Sequence, residues 1–211
     1  MVSGRVAATK LISITPKPEE VILFCARASS DQENADTKLI KYLIKHHHWS
    51  PFEMAFAVFE IRTSRAIAQQ ILRHRSFSFQ EFSQRYAESP GVIVYPPRRQ
   101  ADKNRQSSID DLSEDLKSWW MNKQFEIEGA AVEAYKEALN AGIAKECARF
   151  VLPQATETKL YMAGTMRSWI HYFDIRCDEH TQFEHREIAL EIRGTLSIYV
   201  PTIAEALNWL E

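Results

Sequence analysis

The chain predicts a helix-rich α+β fold, a single domain over residues 1–211 built around a small mixed or antiparallel sheet. Strand-like and helix-like stretches intermix without a βαβ rhythm, which argues against a doubly wound parallel sheet. Only six glycines occur and G-x-G never does, so no dinucleotide fingerprint or phosphate-cradling loop opens a helix. With 45% hydrophobic residues, 211 residues suffice for one sizeable core.

Val6 to Ile14 reads as a first strand, closed by Pro16 and Pro18, and "EEVILFCARAS" follows as a helix with acidic residues in its first turn. "ADTKLIKYLIKHHH" gives a second helix with Leu39, Tyr42, Leu43 and His46 at three- and four-residue spacing. "EMAFAVFEIRTS" is a strand rich in Phe and Val, and "SRAIAQQILRHR" returns to helical spacing through Ile67 and Ile71. An extended row at Glu81, Ser83 and Arg85 and a strand over "GVIVYPPRR" come next, then a loop over "QADKNRQSS". A long helix spans Ile109 to about Asn140, with Ser108 as N-cap and Gly142 at its C-terminal end. "AKECARFVL" is a short helix stopped by Pro153, "TKLYMAGTM" a strand, and "RSWIHYFDI", "TQFEHREIALEIRGTLSIYV" and "TIAEALNWL" are the closing helices.

A net charge of −2 lacks the basic excess of a protein that lives on phosphate backbones or an anionic membrane, so any basic cluster is local. The odd set Cys25, Cys147 and Cys177 forms no C-x-x-C pair, which fits a reducing cytoplasm better than a disulfide framework or thiolate zinc site. No stretch resembles a signal peptide or a spanning helix, so a soluble, unexported protein is expected.

Chemistry concentrates in "RHRSFSFQEFSQRY". Arg73, His74 and Arg75 end a helix, where cations offset the macrodipole, and Gln70 lies one turn before Arg73. Arginine forks also suit phosphate oxygens, and the extended row of Glu81, Ser83 and Arg85 lets two polar groups converge on one cleft. Ser83 as a nucleophile with His74 as base lacks a G-x-S-x-G elbow; a hydroxyl beside arginine better serves a phosphate or polar ring. Consecutive His46, His47 and His48 cannot all reach one ion, and "HTQFEH", with His180, Glu184 and His185, is a weak metal pattern that more often marks a solvated helix face. Arg149 lies in "ARFVLP", while Arg167, His171 and Asp174 share one helical face and Arg176 leaves near its end. A nucleic-acid-binding module is the main alternative, with Phe77, Phe79, Phe82 and Tyr86 stacking on a single strand, and a metal-dependent hydrolase using His180, Glu184 and His185 is a third reading.

Arg73-His74-Arg75, seven residues, Ser83, one residue, Arg85 is similar to the R-H-R…S-x-R signature of the flavin-dependent thymidylate synthases (ThyX). The stretches "ARASS", "LIKYLIKHHHWSPFEM", "QQILRHR", "ARFVLP" and "MRSWIHYFDIR" also resemble that family in order and spacing, from about residue 26 to 190. The resemblance implies a ThyX-like α+β homotetramer with active sites at subunit interfaces. It implies FAD as cofactor, dUMP as substrate, methylenetetrahydrofolate as one-carbon donor and NADPH as reductant, with dTMP as product and no cysteine nucleophile. By the same resemblance Ser29, His48, Ser50, Arg73, His74, Arg75, Glu81 and His171 hold FAD. Gln70, Ser83, Arg85, Arg149 and Arg176 hold dUMP, with Arg176, Ser83 and Arg85 nearest the chemistry. Gln80, Thr165 and His171 stand where relatives often have Asn.

Overall fold

The computed structural model describes residues 8–28, 37–88 and 91–209. In chain order the elements are β1 (Ala8–Ile14), α1 (Pro18–Ala26), α2 (Lys38–Lys45), a 3-10 turn (Ser50–Met54), β2 (Phe56–Ser64), α3 (Arg65–Ile71) and β3 (Ser78–Glu81). Then follow β4 (Arg99–Gln100), β5 (Ser108–Ile109), α4 (Glu114–Asn140), α5 (Lys145–Ala148), a 3-10 turn (Arg149–Val151), β6 (Glu157–Thr165), α6 (Met166–Arg176), α7 (Phe183–Tyr199) and α8 (Pro201–Ala206).

The centre is an antiparallel sheet of order β1-β2-β6-β3. Alternation in β2 buries Ala57, Phe59, Ile61 and Thr63 on one face. Pairing sets Phe59 opposite Met162 and Ile61 opposite Leu160, so apolar side chains meet across the two strands on that face. Helices α1, α2, α3, α6, α7 and α8 contribute to the core over the sheet. From α6, Trp169 meets Phe59 at 5.3 Å and Phe77 at 4.7 Å between ring centroids.

Each central strand runs straight into a helix through a hydroxyl cap. Ser64 accepts from the Ile67 amide and Thr165 from the Ser168 amide, which satisfies one otherwise orphaned donor at each helix start. The sheet thereby aims α3 and α6, whose far ends carry Gln70 and Arg176.

Gly164 leaves room for Phe77: a Cβ there would come within 2.4 Å of the ring. That ring is buried against Trp169, so it has little freedom to retreat. Gly164→Ala is expected to cost about 1–3 kcal/mol through overpacking, read as a lowered thermal midpoint. An unchanged midpoint would mean the ring relaxes freely.

Several sequence expectations need correction. The buried stripe of α2 is Ile40, Leu43 and Ile44; Tyr42 and His46 are exposed. Glu53 and Met54 of "EMAF" belong to the 3-10 turn, and β2 begins only at Phe56. The stretch "GVIVYPPRR" forms no long strand: Val92 makes an isolated bridge to Thr156, and β4 begins only at Arg99. Pro96 and Pro97 remove two successive N–H groups that a ladder would need. Residues 101–107 link β4 to β5, Ser108 is a strand residue, and Ser113 is the hydroxyl that caps α4. At the other end Gly142 adopts φ 82°, as expected for the residue after a helix. Of the 27 residues of α4 only Tyr135 is buried, while Trp119, Trp120 and Ile127 lie open.

Candidate functional site

Helix α3 stops at Ile71, so Arg73, His74 and Arg75 lie on the turn to β3 and not on the helix itself. Strand β3 stops at Glu81. Ser83 then accepts backbone bonds from Tyr86 and Ala87, which folds the chain into a turn, so Glu81, Ser83 and Arg85 do not form one extended row. Glu81 accepts from Thr158 at 3.0 Å and faces Arg65 at 3.6 Å. Arg85 reaches Glu146 at 3.3 Å, and Arg149 Nε donates to the Glu146 carbonyl, so Arg85 and Arg149 are neighbours through one residue.

Three hollows open beside α3 and α6. The first, about 640 Å³, is lined by His47, Trp49, Glu53, Ser76, Arg167 and His171 among others. Asp174 lines it too, so the Arg167, His171, Asp174 face reads correctly from helical spacing. The second, about 470 Å³, brings together Gln70 and Arg176 with Gln106, His180 and Gln182. The third, about 310 Å³, holds Arg65, Gln69, Gln84 and Arg149. Adjacent residues Gln69 and Gln70 thus serve two different hollows. The chain does not gather the dUMP residues implied by resemblance into one place: Gln70 and Arg176 form one group, Arg85 and Arg149 another.

Arg176 Nε donates to His74 Nε2 at 2.8 Å, joining the end of α6 to the R-H-R turn. Burial pushes the His74 pKa down to about 4, and the nearby Arg176 and His171 push the same way, so this ring is neutral and free to accept. Arg73 and Arg75 are exposed, and among the described residues their side chains have no partner. Two uncompensated guanidiniums flanking a neutral imidazole are a donor set suited to an anion with several oxygens, such as a pyrophosphate.

Ser29 lies outside the described residues. Ser50 is exposed on the 3-10 turn. His48 is exposed beside His46 and Tyr42, and it is His47, with φ 56°, that lines the first hollow. Histidine is among the residues that tolerate this left-handed backbone, a cue present in the triplet but not decisive from sequence. Trp49, Glu53 and the Glu53–Arg167 ion pair were also not singled out by sequence reasoning. Thr165 spends its hydroxyl on capping α6.

The rival chemistries find little support in this geometry. Ser83 Oγ accepts from the Arg85 amide, while His74 is committed to Arg176, so nucleophile and base do not meet. His180 pairs with Asp178, Glu184 with Arg98, and His185 with Tyr172, three separate destinations. Glu184 and His185 are buried, which corrects the solvated-face reading of "HTQFEH". Phe77 is buried and Phe79 and Phe82 are half-buried, which leaves only Tyr86 of that set widely open for base stacking.

The family profile described as "Thymidylate synthase complementing protein" matches residues 10–202. A flavin-dependent thymidylate synthase of Synechocystis sp. is 54% identical over 91% of this chain and 90% of its own length. A probable flavin-dependent thymidylate synthase of Paramecium bursaria Chlorella virus 1 is 47% identical over 96% of this chain and all 100% of the relative. Among solved structures, the UMP/dUMP methylase PolB of Streptomyces cacaoi bound with 5-Br dUMP superposes with a TM-score of 0.85 at 27% identity, covering 96% of this chain and 94% of that one.

Proposed function

Because the chain belongs to the thymidylate synthase complementing protein family, we propose that it is a flavin-dependent thymidylate synthase acting on dUMP. The overall reaction takes dUMP, methylenetetrahydrofolate, NADPH and a proton to dTMP, tetrahydrofolate and NADP⁺. When bound, FAD supplies the hydride that completes the methyl group.

The observation that carries the residue assignment is the junction of Arg176 and His74. It joins Gln70 and Arg176, read as dUMP ligands, to Arg73 and Arg75, whose guanidiniums have no partner among the described residues and suit the FAD pyrophosphate. His171, Glu81, His48, Ser50 and Ser29 complete the FAD set in this reading, and Ser83, Arg85 and Arg149 complete the dUMP set. Arg176, Arg85 and Ser83 stand nearest the chemistry, where cations favour negative charge developing on the pyrimidine. Ser83 binds and does not attack.

Separation of the two arginine groups within one chain supports sites assembled between chains, as in a homotetramer. So does α4, whose open Trp119 and Trp120 resemble a surface awaiting cover. Residues 1–211 act as one domain in this reading. The three cysteines are free, which suits a reducing compartment such as the cytoplasm. No described helix is long and apolar enough to cross a membrane.

The test is a visible absorption spectrum of the FAD-reconstituted protein during titration with dUMP, followed by assay of dTMP. Flavin bands are expected to shift as dUMP is added, and dTMP to form once methylenetetrahydrofolate and NADPH are supplied. A folded, assembled protein that does not hold FAD would overturn the reading.

A further inference from the structure

Behind the second hollow a row of hydrogen bonds runs in one direction, and one end decides that direction. Glu184 is ion-paired with Arg98 at 2.6 Å, and a carboxylate accepts only. Gln182 must therefore turn its amide nitrogen to Glu184 Oε2, at 2.9 Å, which leaves Gln182 Oε1 for Gln70. Gln70 then donates to it with Nε2 at 2.6 Å, and Gln70 Oε1 faces His185 Nδ1 at 3.2 Å. An oxygen in that place requires a hydrogen on Nδ1. The His185 Nε2 in turn accepts from the Tyr172 hydroxyl at 3.0 Å.

His185 is wholly buried, and burial, with Arg176 and His74 nearby, pushes its pKa down to about 3. The ring is therefore neutral, with one hydrogen to give. Tyr172 is wholly buried as well, so neither group is available to water.

We propose that His185, itself set by Tyr172, is a positioning residue: its Nδ1–H acts together with Gln182 to hold the Gln70 amide in the one orientation that both partners allow, so that Gln70 offers the hollow an N–H and not a carbonyl. One Nε2 hydrogen of Gln70 goes to Gln182, and the other remains for a ligand. An acceptor such as a carbonyl or phosphoryl oxygen of the nucleotide is thereby selected, while a ligand amine would meet a second donor. The inference rests on the reading of Gln70 as a dUMP ligand.

The test is titration of FAD-loaded protein with dUMP, followed by flavin absorbance. His185→Asn places an amide N–H near the position of Nδ1–H and is expected to hold dUMP within about twofold of wild type. His185→Gln places its nitrogen nearer Tyr172 and is expected to weaken dUMP about tenfold. In a Gln70→Ala background His185→Gln should add nothing, because the residue it orients is gone. Equal losses from Asn and Gln, or additive losses in the double variant, would mean that His185 only fills the core, and would overturn the proposal. If His185→Gln does not hold FAD, Tyr172→Phe takes its place in the cycle. It is expected to weaken dUMP about threefold in wild type and not at all beside Gln70→Ala, and additivity again overturns the proposal. Wild-type protein that holds FAD and ignores dUMP defeats the functional reading and this inference with it. Wild-type binding with unaltered His185 and Tyr172 variants defeats this inference alone.

Discussion

Replacing Arg176 with alanine is expected to lower dTMP formation by about two to three orders of magnitude, with FAD content of the isolated protein within about twofold of wild type. The side chain ends α6, lines the hollow that contains Gln70, and spends Nε on His74 at 2.8 Å. Its position at a helix C-terminus also offsets the macrodipole, but lysine would serve that purpose equally well. Only the planar fork bonds His74 through Nε while presenting further donors to the hollow. Arg176→Lys should therefore keep the fold and recover little turnover. Single-turnover kinetics with bound FAD would check both variants, and near wild-type rates for Arg176→Ala would remove this residue from the site.

Mild acid is expected to destabilise the protein through two imidazoles, buried His185 and half-buried His74. Unfolded, each takes up its proton near pH 6.5; folded, His74 does so only near 4 and His185 near 3. Across that interval the unfolded chain binds more protons, so stability is fully present above about 6.5 and declines as pH falls towards the folded values. At pH 5 the loss is about 2 kcal/mol for the buried His185 ring and less for half-buried His74, whose charge solvent partly screens. The groups facing His185 are Tyr172, Gln70, Arg176 and His74, and those facing His74 are Arg176, His171, His185 and the rings of Phe77 and Tyr172. No carboxylate among them would rescue a charged ring. Hydrogen bonds hold the Glu60, Asp111 and Asp178 carboxyls below their ordinary range, so they do not add to the loss between pH 7.5 and 5. Urea midpoints between pH 7.5 and 5 would measure the effect, and His185→Asn should remove the larger part of it; a flat profile would mean that both rings charge freely in the fold.

What the sequence reveals of this site follows from distance along the chain. Helical spacing placed Arg167, His171 and Asp174 on one face, and they share one hollow. The Arg73, His74, Arg75, Ser83 and Arg85 signature was legible because the residues are close together and unusual in type. Local alternation misled beyond Glu81, because the edge of β6 changes partner there. Phe82 makes the last bond to Lys159, and the segment around residues 91–93 then takes Glu157 and Ala155. Nothing within the row at 81–85 announces that competitor. The row from Tyr172 through His185 to Gln70 was illegible for the same reason, since His185 and Gln70 are 115 residues apart. Glycine at 164 had no visible cause until Phe77 came to rest against it.

The long helix α4 buries one side chain of its 27 within its own chain, so its remaining apolar surface contributes little to the stability of a lone subunit. In the proposed homotetramer other copies cover that surface, so that folding and association become linked equilibria and the free energy of the native state acquires a mass-action component. Stability is then a property of how much protein is present as well as of its sequence, and dilution acts as a denaturant.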